Sequence, residues 1–358
     1  MKKRFVAAFL LAAMLVPTLS ACDCSSQAIL SFDNGFSGKT EIAAGYSQKL
    51  VYKAEYKTDE EDYKISENFP QENILKLEYG EGRAEFNFSA DVTLPSGIDS
   101  DLKDFAENQN ALIYKLAYSF TIPLTITING EEYLSEEKIE SEAYFLPANL
   151  SFAPIYSKTQ SAYYVIATSK TSAAASKLKI LSETFYNQKT YTLRYNAEYL
   201  GVSGEDKDFE EDPTVIEEKY DFRKVITNEQ LLFAVRGISV DENGSAVVPV
   251  QRFGDTNPLS FTKKQSAEIT LPIKYDGGEI EDVKFTYDEI SYRINETYSA
   301  GTAHKVYIQS AAGKSEDTDL IKNLALPVIF FQPMQSVSGE YDMYGCLKFT
   351  LTEIEIND

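Results

Sequence analysis

From Tyr114 to Ile128 every even position is apolar (Tyr114, Leu116, Tyr118, Phe120, Ile122, Leu124, Ile126, Ile128), while the odd positions carry mainly Lys, Ser, Thr, Pro and Ala. A repeat of two residues belongs to a strand with one dry and one wet face, not to a helix. A one-residue slip would turn the whole apolar set toward water, at about 1.5–3 kcal/mol for each large side chain. Pro123 interrupts the run and has no N–H for a ladder, so it is expected to sit on an edge strand or to bend the strand from one sheet into another. The same alternation recurs at Leu50 to Tyr56, Phe86 to Leu94, Tyr191 to Tyr199 and Ile269 to Tyr275. One buried and one wet face is the pattern of antiparallel sheets. Asn129-Gly130, between two such runs, is a hairpin turn signal.

The chain is therefore expected to be mainly β, with two antiparallel sheet-based domains, sandwich or half-barrel-like, and a few short helices. At 358 residues, two bodies of ordinary domain size are expected. The division places an N-terminal β domain over 29–158 and a C-terminal one over 159–358, with a helical insertion near 213–240. Thr227-Asn228-Glu229-Gln230 matches a capping box ahead of Leu231, Leu232 and Val235, and Gly237 is placed to end that helix. The alanine-rich stretch Thr171 to Leu181 and the stretch Asp101 to Ala111 are the other helix candidates. A short echo links Leu50–Tyr56 to Leu193–Tyr199, and Val92–Pro95 to Ile269–Pro272, in the same order. It raises the idea of duplicated halves, against the alternative that strand-biased composition repeats itself.

The first 22 residues, MKKRFVAAFLLAAMLVPTLSAC, have a basic start, an apolar run from Phe5 to Val16, and small residues before a cysteine. That run is too short to span a bilayer, so residues 1–21 are read as a cleaved signal. Leu19-Ser20-Ala21-Cys22 resembles the lipobox of bacterial lipoproteins. The resemblance implies that the Cys22 thiol receives a diacylglyceryl group, that the chain is cut just before it, and that the lipid bilayer is a partner through acylated Cys22. The alternative is an ordinary secretory signal cut after Ala21. Two acyl chains give stable anchoring where one is marginal. Asp23 resembles the inner-membrane retention signal of two-membrane bacteria. Residues 22–28 form a polar tether, and its first six residues reach at most roughly 20 Å when extended, so the body is expected close to the extracytoplasmic face of the cell membrane.

Acidic residues outnumber basic ones 55 to 34, and the leader removes Lys2, Lys3 and Arg4, which leaves 31 − 55 = −24 on the mature chain. Such a surface repels phosphate backbones and anionic headgroups, so no nucleic-acid partner is expected.

Motifs that carry chemistry are sparse. His304 is the only histidine and is read as an exposed or capping residue at the entry to a strand rather than as part of a triad. One His and two unlipidated Cys, Cys24 and Cys346, do not make the common zinc sets, and those two thiols are read as unlinked. Ser100-x-x-Lys103 and Ser176-x-x-Lys179 match the bare spacing of serine acylases but lack the partner motifs. Gly313-Lys314-Ser315 lacks the first glycine of a phosphate loop. The acidic runs Asp59–Asp62, Asp206/Asp208/Glu210/Asp212 and Asp317/Asp319 are weighed as loose calcium sites and read as solvated loop charge. No catalytic, cofactor or metal residue is assigned; Cys22, as lipid attachment, is the single site residue, and the ligand-binding residues are left open. The expected function is a non-enzymatic, membrane-anchored lipoprotein that binds a protein or polymer partner at the envelope. A ligand carrier, with the helix around Leu231 to Val235 as a lid, is the alternative, and a carboxylate hydrolase is the least favoured reading.

Overall fold

The structure is a computed structural model. It describes residues 42–187, 190–204, 209, 213–219, 225–237, 245–252, 255–294, 303–310, 324–337 and 343–357. The leader, Cys22 and the tether lie outside them, as do Cys24, Gly313–Ser315, Asp317, Asp319 and most of the acidic run around Asp208.

In chain order the strands are β1 (Ser47–Lys57), β2 (Leu75–Tyr79) and β3 (Gly82–Ala90), then helix α1 (Ser100–Asn108) and the long meander β4 (Tyr114–Ile128), β5 (Glu131–Phe145), β6 (Pro154–Ser169), β7 (Ser172–Tyr186), β8 (Thr190–Gly201) and β9 (Thr214–Lys219). After β10 (Ile226–Thr227) and helix α2 (Leu231–Ala234) come β11 (Ser245–Arg252), β12 (Asp255–Tyr275), β13 (Ile280–Ile294), β14 (His304–Gln309), β15 (Pro327–Gln335) and β16 (Met343–Asn357). All of these strands join one sheet in the order β10-β11-β12-β13-β14-β15-β16-β1-β3-β4-β5-β6-β7-β8-β9, with β2 beside β4. Most neighbours are antiparallel. A short parallel contact of Lys274–Tyr275 with Glu353–Ile354 brings β12 back onto β16 and closes the C-terminal strands into a ring. The result is mainly β and barrel-like.

The apolar parity of β4 faces a core that runs across the seam between the chain's two ends. β1 and β16 pair from Ser47↔Asn357 to Lys57↔Cys346. Tyr52, Ile122, Phe349, Leu351 and Ile354 are buried there together. The Phe330 and Phe349 rings stack at 4.2 Å, Phe120 meets Phe349 edge-on, and the Tyr52 hydroxyl donates to the Pro327 carbonyl at 2.7 Å. Offset and edge-to-face rings of this kind add to the area they bury.

Several local expectations hold. Asn129 and Gly130 both take positive φ between β4 and β5, as a primed hairpin turn requires. α1 begins after Asp99, whose side chain accepts from the Asp101 N–H at 2.8 Å.

Others are corrected. Pro123 lies in an interior strand. Its carbonyl accepts from the Gly80 N–H at 2.9 Å, and the N and O of one strand residue point the same way. The missing N–H therefore faces the turn between β2 and β3, where neither strand pairs with it. The boundary drawn at 158/159 falls inside β6, which is hydrogen-bonded to β5 and β7 along one continuous sheet. Thr171 to Leu181 forms the start of β7 rather than a helix, because pairing with β6 and β8 overrides the helix preference of its alanines. Among the described residues near 213–240 there are the edge strand β9, the short β10 and one turn of α-helix, followed by a 3₁₀ turn at Val235–Gly237. The echo also dissolves: β1 lies between β16 and β3, β8 lies between β7 and β9, and Val92–Pro95 is outside any strand whereas Ile269–Pro272 is inside β12.

Candidate functional site

Two places on the sheet have the shape or chemistry of a site. The first lies under α2. The capping box read from the sequence forms reciprocally: the Gln230 N–H donates to Thr227 Oγ1 at 3.2 Å and the Thr227 N–H donates to Gln230 Oε1 at 2.8 Å. The Gln230 side-chain amide also donates to the Phe152 carbonyl at 2.8 Å, which pins the turn to the loop between β5 and β6. Thr227 is fully buried. Thr227→Ala is expected to cost about 1 kcal/mol, with Thr227→Ser recovering most of it, read from the midpoint of chemical denaturation.

That anchored turn drives Phe233 into the sheet, where it stacks on Phe88 at 4.8 Å and meets Phe145 and Phe152. Arg236, next along, donates to Gln48 Oε1 at 2.8 Å and to the carbonyls of Leu324 and Ala325 at 2.8 and 3.2 Å. Burial lowers its guanidinium pKa to about 10, still far above neutral pH. The space left between Phe233, Arg236, Gln48 and the sheet is about 10 Å³, which is room for one water at most. The helix expected to act as a lid is a plug.

The second place is a fork in the sheet. β6 follows β5 as far as Ala162↔Lys138 and then leaves the ladder. The Tyr164 N–H, which no β5 carbonyl meets, donates instead to the Glu137 carboxylate at 3.2 Å. Tyr79 reaches the same oxygen at 3.5 Å. Burial raises the Glu137 carboxyl to about 7, outweighing the two hydrogen bonds, which act the other way. Past the fork, β6 is held by Thr168 to Ser336 and by the Val337 N–H to the Ile166 carbonyl.

On the opposite face of β5 from Glu137, two hollows adjoin. One, of about 290 Å³, is lined by Asn87, Ser119, Glu142 and Lys158. The other, of about 120 Å³, lies at the fork and is lined by Glu136, Lys138, Lys177 and Lys179. Glu140 and Gln160 border both. Around them Lys138 pairs with Glu140 at 2.8 Å, Lys115 with Glu142 at 2.7 Å, and Lys158 with Glu183 at 3.2 Å. Glu136 and Glu140 lie on one face of a strand with Lys138 between them, so their Cα atoms are about 13 Å apart.

The residues singled out from the sequence are dispersed. His304 begins β14 and stacks face to face on its cross-strand partner Tyr292 at 5.0 Å, a packing role. Ser176 and Lys179 are on a strand, three apart and hence on opposite faces, so the spacing that works on a helix brings nothing together. Ser100 and Lys103 open α1, away from both hollows. In the first acidic run Glu60 pairs with Lys348 at 3.0 Å and Asp62 pairs with Lys305. No group of three or more metal-binding side chains occurs among the described residues. Cys346 is a free thiol, fully buried, with its pKa pushed up to about 12 by burial. Lys177 and Glu137 escaped the sequence reading, and Lys179 entered it only as the lysine of a Ser-x-x-Lys spacing; the only signal for the hollow was lysines on the parity of β7 that pairs with Ala162 and Tyr164.

The fold and its hollows define a barrel-like β body with a polar, cleft-bearing sheet face. No protein-family model matches the chain, and no curated protein matches it. Among solved structures it is similar to the crystal structure of a beta-barrel-like protein of the domain of unknown function DUF1849 from Brucella abortus, with a TM-score of 0.41 and 7% identity over 88% of this chain and 100% of that one. No helix among the described residues is long and apolar enough to cross a membrane.

Proposed function

We propose that the chain is an extracytoplasmic lipoprotein, anchored through acylated Cys22, that binds a protein or polymer partner on its body and does so without catalysis. The observation that favours partner binding over ligand carriage is the filled core beneath α2: Phe233 occupies the position a carried solute would need, and about 10 Å³ remains. Carriers of drug-sized ligands need cavities of about 300–1,000 Å³ lined mainly by apolar groups. The hollows on the polar face are open and rimmed by ion pairs, which suits a wet, polar contact.

The anchor is tested by mass spectrometry of the mature chain from a bacterial host. A diacylglyceryl-modified Cys22 at the N-terminus is expected, and an N-terminus elsewhere or an unmodified Cys22 sinks the proposal. The binding face is tested with photo-crosslinking groups placed at Asn87 and Gln160 in cells. One discrete adduct shared by both positions, and absent from a group at Thr286 on β13, is expected. Equal labelling at all three positions counts against a dedicated face.

A further inference from the structure

We infer that the edge of β5 beyond the fork is a docking strand, which takes up an extended, basic segment of a partner protein as an added strand. The inference rests on the partner-binding reading and names the place and the chemistry of the contact.

β5 pairs with β4 along its whole length, from Phe145 to Glu131, with no break in register. Its other neighbour, β6, stays only as far as Ala162↔Lys138. The Tyr164 N–H points toward β5. Ala162, two residues back, turns its N–H and C=O the same way, and those of its partner Lys138 face β6. Strand parity then aims the N–H and C=O of Glu136, Leu134 and Glu132 away from β4. Pro123 agrees: its carbonyl goes to Gly80, on the far side from β5, which makes Pro123↔Glu136 a pair without hydrogen bonds. The backbone groups of these three residues therefore line one edge, with no partner among the described residues. The facing edge of β6 is closed, by Glu137 at Tyr164 and by Val337 at Ile166.

Sheet edges are commonly blunted by bulges, proline or brevity. Glu131 to Glu137 has no bulge and no proline, and Leu134, at its middle, is 79% exposed. Its charge selects the occupant. Glu132, Leu134 and Glu136 share one sheet face, and their cross-strand neighbours on β4 are the uncharged Thr127, Thr125 and Pro123. Lys138 is engaged by Glu140 at 2.8 Å, and Lys76, which feels the charge of Glu132, is engaged by Glu78 at 2.7 Å. Glu132 and Glu136 form no ion pair among the described residues. A second copy laid antiparallel about Leu134 sets Glu132 against Glu136, and like charges directly opposite repel. A segment carrying a basic, an apolar and a basic residue at alternate positions meets Glu132, Leu134 and Glu136 in turn, while its backbone completes the ladder.

The probe is a synthetic peptide blocked at both ends, Thr-Lys-Thr-Val-Thr-Lys-Thr, titrated into the intact chain at low ionic strength, with hydrogen exchange read residue by residue. Saturable binding is expected. The Leu134 and Glu136 amides should exchange fast without peptide and slowly with it, while those of Tyr133 and Ser135, which face β4, stay slow throughout. Glu132→Lys combined with Glu136→Lys should weaken binding by about tenfold or more. The charge-matched pair Glu279→Lys and Glu281→Lys, on either side of Ile280, should not change it. Two altered peptides make the same test on the unaltered protein, so that it does not depend on a variant folding: glutamates for the lysines, or proline for the valine, should each abolish binding. No saturable binding, equal binding of the glutamate peptide, or Leu134 and Glu136 amides already slow in the chain alone overturns the inference. Crosslinks at Asn87 and Gln160 that persist in cells when no peptide binds show that the edge alone has failed; their absence overturns the partner-binding reading with it.

Discussion

Replacing Glu137 by glutamine is expected to make the protein more stable by about 3 kcal/mol at pH 8 and to leave it unchanged at pH 4. The carboxyl titrates near 4.5 in the unfolded chain and near 7 in the folded one, because β5 and the departing β6 enclose it. A folded-state pKa above the unfolded value means that the folded protein holds the proton longer. Glu137 therefore opposes folding least below pH 4.5, and stability falls as the pH rises from there to about 7, at roughly 1.4 kcal/mol per pH unit. Above 7 both states are ionised and the penalty stays constant. Glutamine keeps an oxygen for the Tyr164 N–H without any charge to desolvate. The check is chemical denaturation of both proteins at intervals from pH 4 to 8, plotted as their difference. A difference that does not grow across that window shows that the carboxylate is solvated.

Gly345→Ala is expected to destabilise the protein by about 3 kcal/mol or more. Gly345 holds φ +114°, outside the range of L side chains, and a Cβ there would lie 2.5 Å from the Lys57 carbonyl and 2.8 Å from the Tyr56 ring. Backbone strain of that kind costs of order 1–3 kcal/mol by itself, and the carbonyl belongs to the β1 strand that β16 must pair with, so it has little freedom to retreat. Gly45 provides the comparison. It has φ +87° but nothing within 4 Å of a Cβ, so Gly45→Ala should show only the conformational part, about 1–2 kcal/mol. Thermal melts of the two variants should separate by several degrees, and equal shifts would mean that the seam is looser than it appears.

How much of this could be read from the chain differs element by element. The period-two runs and the Asn129-Gly130 turn were legible because both are local: each depends on residues adjacent in sequence. The Thr227/Gln230 box was legible for the same reason, although the helix it starts is only one turn long. The stretch after Thr171 misled because alanine's local preference yields to the ladders on either side of β7. Pro123 misled because its tolerance depends on where β2 ends and β3 begins, which is information held by other strands. The fork was invisible for a deeper reason. Glu137 is one of 55 acids, and Lys177 and Lys179 alternate with apolar residues as solvent-facing lysines do. Only the departure of β6 from β5 buries the carboxylate, and only in that register do the two ammonium groups share a hollow.

The zippering of Ser47–Lys57 onto Cys346–Asn357 sets a timetable for the molecule's birth. A chain synthesised from its N-terminus can assemble the β3-to-β9 meander early, since those partners follow one another closely. β1 must wait for Cys346–Asn357, about 300 residues on, before one of its two edges is covered. Until then an uncovered edge faces other chains, and edges of this kind recruit wrong partners. Pairings so distant in sequence are also among the slowest to form. A chain cut before Cys346 lacks this partner for β1 and would persist as an open sheet.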